Sequence, residues 1–267
     1  MRLLTAAVVA PLLLVLLFLG PAWGWFTLVL VASTIGGLEV FAMTHPEDSA
    51  GRAVGAATTA FVTAALYLGP PDARTALTVG AVVLLSGMMW PLARLGRIED
   101  AALRVLGGIS GPLYVGLPLA LLAIVRRDQG ASGPGWVLLT LMLSWLADTG
   151  GYFAGRAFGK TKLYPAVSPK KTREGFYGAL AGAVSGALLA HFWYLPVLPL
   201  AHAVPLALVG GALGQLGDLA ESLLKRSTGI KDSGAIVPGH GGMLDRIDAL
   251  LVATVIVYLY TAWLAPA

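Results

Sequence analysis

The chain has 267 residues, of which 57% are hydrophobic and only 12% charged, and its mean hydropathy is +0.79. A soluble domain carries about 25% charged residues. Half that charge cannot cover a water-soluble surface of this size, so a soluble enzyme, a disordered tail and a nucleic-acid-binding module are all disfavoured. The absence of cysteine removes disulfide frameworks, thiol catalysis and Cys-ligated zinc.

In chain order, nine apolar runs are bounded by charges or by Pro/Gly clusters: 3–19, 23–43, 53–68, 75–90, 106–125, 136–155, 176–194, 204–224 and 247–264. Most can cross about 30 Å of hydrocarbon as helix. They are continuously apolar, without the two-residue alternation of barrel strands. Pro112 and Pro118 do not forbid helix, because neighbouring membrane helices satisfy freed backbone groups. The first run has features of a signal peptide. It is longer than the usual apolar core of one, and the next run follows at once, so it is read as a retained span.

With the N-terminus in the cytoplasm, Arg74, Arg126 and Arg127 fall outside, and the other fifteen of the eighteen Lys and Arg fall inside. This bias predicts an all-α, polytopic membrane protein of about nine spans, N-in and C-out, forming one membrane-embedded domain over 1–267. Its first part, 1–130, is the less informative. The polar stretches 156–175 and 225–245 both fall on the cytoplasmic side, so chemistry on a water-soluble substrate is expected there, in 131–267.

The acidic residues are the informative minority. Glu39 lies within the second run without polar company in sequence and reads as structural. In SWLADTGGYFAGR, Ser144, Asp148 and Tyr152 recur every four residues, so they share a helix face. Asp218, Glu221, Ser222 and Lys225 form one polar stripe on an otherwise apolar run, and such a stripe must face protein or a water-filled cavity. An internal Glu221–Lys225 ion pair would leave Asp218 unexplained. Asp245 and Asp248, three apart, open the last run. Asp218 with Asp245 or Asp248 suits Mg²⁺, which prefers oxygen ligands and recruits substrate phosphates. Of the four histidines, His45, His191 and His202 are scattered and His240 alone lies with the carboxylates, so a histidine-rich zinc site is a poor fit. Nearby cations (Lys160, Lys162, Lys170, Lys171, Arg173, Lys225, Arg226, Lys231 and Arg246), together with the glycines Gly239, Gly241 and Gly242, complete the parts needed for phosphoryl or nucleotidyl transfer.

The segment SLLKRSTGIKDSGAIVPGHGGMLDRID, 222–248, resembles the signature of the phosphatidate cytidylyltransferase (CDP-diacylglycerol synthase) family. Ser222, Lys225, Arg226, Lys231, Asp232, His240, Gly241, Gly242, Asp245, Arg246 and Asp248 all match. Val237 stands where Leu, Ile or Phe is expected. A second block, DTGGYFAGRAFGKTKLYPAVSPKKTREG, is similar to the same family at Asp148, Tyr152, Gly159, Lys160, Ser168, Pro169, Lys170, Lys171, Thr172, Glu174 and Gly175. There Arg173 replaces a common aromatic. The resemblance is tight over the C-terminal half.

It implies a bacterial inner-membrane enzyme of phospholipid synthesis, often a homodimer, with its active site facing the cytoplasm. The reaction it implies joins CTP and phosphatidic acid into CDP-diacylglycerol, releasing pyrophosphate with Mg²⁺; a second, monovalent cation such as K⁺ stays open. It also implies Asp218 and Asp245 as metal ligands with Asp248 in support. Lys225, Arg226, Lys231 and Arg246 would meet phosphates, and Asp148, Lys160, Ser168, Lys170, Lys171, Thr172, Glu221, Ser222, Asp232, His240, Gly241 and Gly242 would bind substrate. The nearest rival is a CTP-dependent enzyme on another lipid, a polyprenol kinase or an archaeal-lipid cytidylyltransferase. An ion-coupled transporter would use Asp148, Asp218 and Glu221 as coupling sites, but transporters usually carry paired motifs in two halves. No Asp-Gly-x-x-Ala-Arg motif of the CDP-alcohol phosphotransferases is present.

Overall fold

The computed structural model describes residues 2–234 and 241–265, with 2–9 described as backbone alone. Val237 and His240 of the signature therefore lie outside the described residues. The helices are α1 (Arg2–Leu19), α2 (Ala22–Thr44), α3 (Ser49–Leu68), α4 (Ala73–Ala93), α5 (Ala101–Gly111), α6 (Leu117–Asp128), α7 (Gly133–Phe158), α8 (Arg173–Leu189), α9 (Leu200–Ser227) and α10 (Leu244–Trp263). A π-helical turn, Pro112–Gly116, joins α5 and α6 into one rod, absorbing the two prolines without ending the helix. Each of the nine apolar runs thus falls on helix. Seven helical stretches among the described residues are long and apolar enough to cross a membrane. The protein is an all-α, polytopic membrane protein. Its described strands are two short ones, β1 (Lys162–Tyr164) and β2 (Ser168–Thr172), paired antiparallel in the polar stretch before α8.

Local chemistry fixes several helix starts. Asp48 accepts from Gly51 N at 2.9 Å to open α3. Asp72 accepts from Thr75 N at 2.9 Å to open α4, and Thr172 Oγ1 accepts from Gly175 N at 3.1 Å to open α8. Each satisfies a donor that the first helical turn leaves without an intrahelical partner.

The chain divides into two compact units. One contains residues 1–124 and 232–245. Its apolar core centres on Val62, Val79 and Val83, with Leu66, Ile109 and Leu117 against them. Ser33 Oγ and Thr63 Oγ1 share a buried hydrogen bond of 2.6 Å, and Thr63 donates to Gly116 O at 3.1 Å. At the end of α2, Asp48 gathers Trp90 Nε1 at 3.1 Å, Arg104 Nη2 at 3.0 Å and Arg94 Nε at 3.3 Å.

The other unit contains 125–231 and 246–267. Here α7 and α8 pack with their backbones nearly touching. A Cβ at Gly182 would strike Leu146 O, and one at Gly150 would strike Gly178 O. Small residues permit this approach, which in a membrane replaces the missing hydrophobic drive between helices. Trp136 and Tyr260 pack ring to ring, with centroids 5.5 Å apart. His202 Nδ1 lies 2.8 Å from the Tyr260 hydroxyl.

Candidate active site

The close α7–α8 contact leaves a cavity of about 390 Å³ where both helices meet β2 and α9. Its walls carry Asp148, Tyr152 and Arg156 of α7, Lys170, Lys171 and Thr172 of β2, and Gln215 and Asp218 of α9. The β1–β2 hairpin is held to the start of α8 by Glu174, whose carboxylate accepts from Lys160 N at 3.1 Å and Thr161 N at 3.2 Å. Gln215 and Asp218 reach the same cavity because three residues is nearly one helical turn.

Within the cavity the polar groups form a chain. Lys171 Nζ lies 2.6 Å from Asp218 Oδ2 and donates to Gln215 Oε1 at 3.5 Å. Gln215 Nε2 in turn donates to Asp148 Oδ1 at 3.2 Å. Ser222 Oγ donates to Asp218 Oδ1 at 3.5 Å. One turn further, Lys225 Nζ stands 2.7 Å from Glu221 Oε2, with the Glu221 side chain only 1% exposed. Asp248 of α10 lies within electrostatic range of Asp218, Glu221 and Asp148. It does so because α9 and α10 pack closely, Gly217 facing the Asp248 carbonyl and Val252.

Four carboxylates therefore share a neighbourhood with two ammonium groups, Lys171 and Lys225. This all-oxygen, net negative donor set fits a hard divalent cation. Among the described residues no three His, Asp or Glu side chains stand close enough to hold an ion by themselves. Any Mg²⁺ held here would need water or substrate oxygens to complete its ligands.

A second apolar groove, of about 450 Å³, adjoins this cavity and shares Leu163, Phe176 and Gln215 with it. Tyr164, Leu216, Leu219 and Leu223 complete its wall.

In the other unit, Asp245 sits in the turn that opens α10. Its Oδ2 accepts from Ser233 N at 3.0 Å and Gly242 N at 2.8 Å, and the Ser233 hydroxyl oxygen lies 3.0 Å away. Gly241 there has φ +77°, a left-handed backbone that glycine adopts freely.

Ser144 is buried, above Asp148 on α7. Thr172 lines the cavity while its hydroxyl caps α8. Ser168, half-buried, begins β2. Lys160, Lys231 and Asp232 are exposed in loops. Arg226 is exposed and donates to Ile230 O at 3.1 Å, closing the turn after α9. Arg246 is exposed on the first turn of α10.

Sequence reasoning missed Gln215, Ser233 and the partners of Glu39. Gln215 was within reach: it precedes Asp218 by three residues and extends the polar stripe. Glu39 has its polar company after all, from residues 194 to 205 positions away in the chain.

Comparison with known proteins identifies the family. Residues 1–264 match the model of the cytidylyltransferase family. A phosphatidate cytidylyltransferase of Pseudomonas aeruginosa is 38% identical over 272 residues, covering 99% of this chain and 97% of its own. One from Brucella suis is 38% identical over 192 residues, 70% of this chain and 64% of its own. Another, from Staphylococcus haemolyticus, is 41% identical over 138 residues, 52% of each. With a family match running from the first helix to the last and a relative 38% identical over 99% of the chain, the chain belongs to the cytidylyltransferase family.

Proposed function

We propose that the protein makes CDP-diacylglycerol from CTP and phosphatidate. The observation that carries this reading is the Lys171–Asp218 pair in a polar cavity that adjoins an apolar groove. A lipid phosphate needs a cationic, hydrated site, and its acyl chains need an apolar one. The relatives named phosphatidate cytidylyltransferase support the same substrates.

A phosphatidate oxygen is already anionic near pH 7, so no side chain has to activate it by removing a proton. That oxygen forms a bond to the α-phosphorus of CTP, the bond from this phosphorus to the β-phosphate oxygen breaks, and pyrophosphate leaves with that electron pair. The task left to the protein is to bring two anions together in line. Lys171 and Lys170 supply positive charge in the cavity. Lys225, Arg226, Lys231 and Arg246 are the other cations offered to the triphosphate and the lipid phosphate. Asp148, through Gln215, holds Lys171 in place. Asp218 and Asp245 are the Mg²⁺ ligands implied by the resemblance, with Asp248 in support. Mg²⁺, when bound, would neutralise charge on the transferring and leaving phosphates; a monovalent ion such as K⁺ is compatible with the same carboxylates.

We also place the cavity on the cytoplasmic face of a bacterial inner membrane, in a nine-span, N-in and C-out chain, and expect a homodimer. The charge bias supports the orientation, and the resemblance supports the assembly.

The test is an acceptor panel with purified, detergent-solubilised protein, CTP and Mg²⁺. Phosphatidate should yield CDP-lipid and pyrophosphate in equal amounts. Polyprenol, or an archaeal-type ether-linked acceptor, should yield far less. Product from one of these and none from phosphatidate would reject the reading.

A further inference from the structure

The buried carboxylate of Glu39, on α2, is 5% exposed and has no role in the chemistry described above. Its bonding is unusual for a single side chain. Oε1 accepts from Met243 N at 2.8 Å, and Oε2 accepts from Leu244 N at 2.7 Å. Ser233 Oγ donates to Oε2 at 2.9 Å. Met243 and Leu244 lie at the N-terminal edge of α10, where backbone N–H groups lack intrahelical acceptors and the helix dipole favours an anion. Glu39 thus caps α10 from a different helix, about two hundred residues earlier in the chain.

The same carboxylate reaches Asp245. Ser233 Oγ stands between the two acids, 2.9 Å from Glu39 Oε2 and 3.0 Å from Asp245 Oδ2. The backbone is shaped around this contact. A Cβ on Gly242 would come within 2.5 Å of both Glu39 oxygens, and one on Gly234 within 2.6 Å of Oε1. A side chain at either place would displace the carboxylate from its present position.

We propose that Glu39 is a positioning residue for the signature segment: it fixes where α10 begins and, through Ser233, where the Asp245 carboxylate points. The role in catalysis rests on the proposed cytidylyl transfer; the role in holding the turn does not. Gln at position 39 keeps the shape and one carbonyl acceptor but turns an N–H toward Leu244 N or Met243 N, so one backbone donor loses its acceptor.

The test joins amide exchange with kinetics on the full-length protein in detergent. In Glu39→Gln, the Met243 and Leu244 amides should exchange about tenfold faster, while α7 and α8 keep the exchange of the parent. Turnover should fall on the order of 10- to 100-fold, with the KM for CTP within about twofold, as expected when a group in the transition state is misplaced rather than a binding contact removed. Gly242→Ala presses on the same carboxylate from the loop side and should reproduce both changes, which covers the case in which Glu39→Gln does not accumulate. Thr34→Ala, on the same helix, should alter neither. Unchanged exchange at Met243 and Leu244 would overturn the proposal, as would uniformly faster exchange across both units. Faster local exchange in a protein that makes no CDP-lipid would keep the capping role and reject the proposed reaction instead.

Discussion

The charge on Asp218 is the most exacting feature of the cavity at the scale of single residues. An amide at that position keeps the shape and loses an anionic oxygen that faces Lys171 and, in the proposed reaction, would hold Mg²⁺. Asp218→Asn should therefore lower turnover roughly 100-fold or more, because several kcal/mol of charge stabilisation go at about 1.4 kcal/mol per decade. The protein should still fold in the membrane, and near-parental turnover would remove Asp218 from the metal site. Glu221 and Lys225 allow a sharper separation. Lys225→Ala leaves a nearly inaccessible carboxylate short of its ammonium, which typically costs about 3–5 kcal/mol. Glu221→Gln with Lys225→Gln removes both charges and should restore the thermal midpoint. We expect this double variant to stay inactive; recovery of both stability and CTP turnover would make the pair purely structural. Asp148 and Asp218 were legible in sequence because each interrupts an apolar run with other polar residues at helical spacing; Lys225 extends the stripe of Asp218, and Lys171 stood out through the family-like block 148–175. Glu39 was not, since everything it touches comes from the far end of the chain.

Elements were legible to the extent that hydropathy decides them. Nine continuously apolar runs became helix, and even Pro112 was accommodated by a π-helical turn. The β1–β2 hairpin escaped notice because a short polar stretch with Pro165 and Pro169 carries no alternation to read. Helix contacts escaped too, although their glycines were visible. Gly182 shows how tight they are: with Leu146 O against it, Gly182→Val should overpack the α7–α8 seam and destabilise by about 1–3 kcal/mol. The thermal midpoint in detergent measures this, and an unchanged midpoint would mean that the seam is looser than described. The end of α2 makes a pH prediction. Burial, and then Arg104, push the His45 imidazole down to about 4, with Asp48 opposing. The unfolded chain thus binds the extra proton first, near 6.5. The stability contributed by neutral His45 is complete above 6.5 and is lost as the pH falls toward 4. The midpoint should drop more between pH 7 and pH 5 in the parent than in His45→Gln; equal drops would place the imidazole in contact with water.

For the whole molecule, the placement of Lys and Arg and the absence of cysteine make topology directly testable. Single cysteines introduced at Ser168 and at Ala265 should label from opposite sides of the membrane, Ser168 from the cytoplasm. Labelling from one side would break the nine-span arrangement and with it the cytoplasmic location of the cavity. The central claim is that the protein moves the cytidylyl group and not the terminal phosphate of CTP. Two parallel reactions decide it, one with CTP labelled at the α-phosphorus and one with CTP labelled at the γ-phosphorus, each with phosphatidate and the purified protein. Cytidylyl transfer puts the α label in the lipid phase and the γ label in released pyrophosphate. A γ label in the lipid, with the α label left in aqueous CDP, would contradict the account and make the protein a lipid kinase.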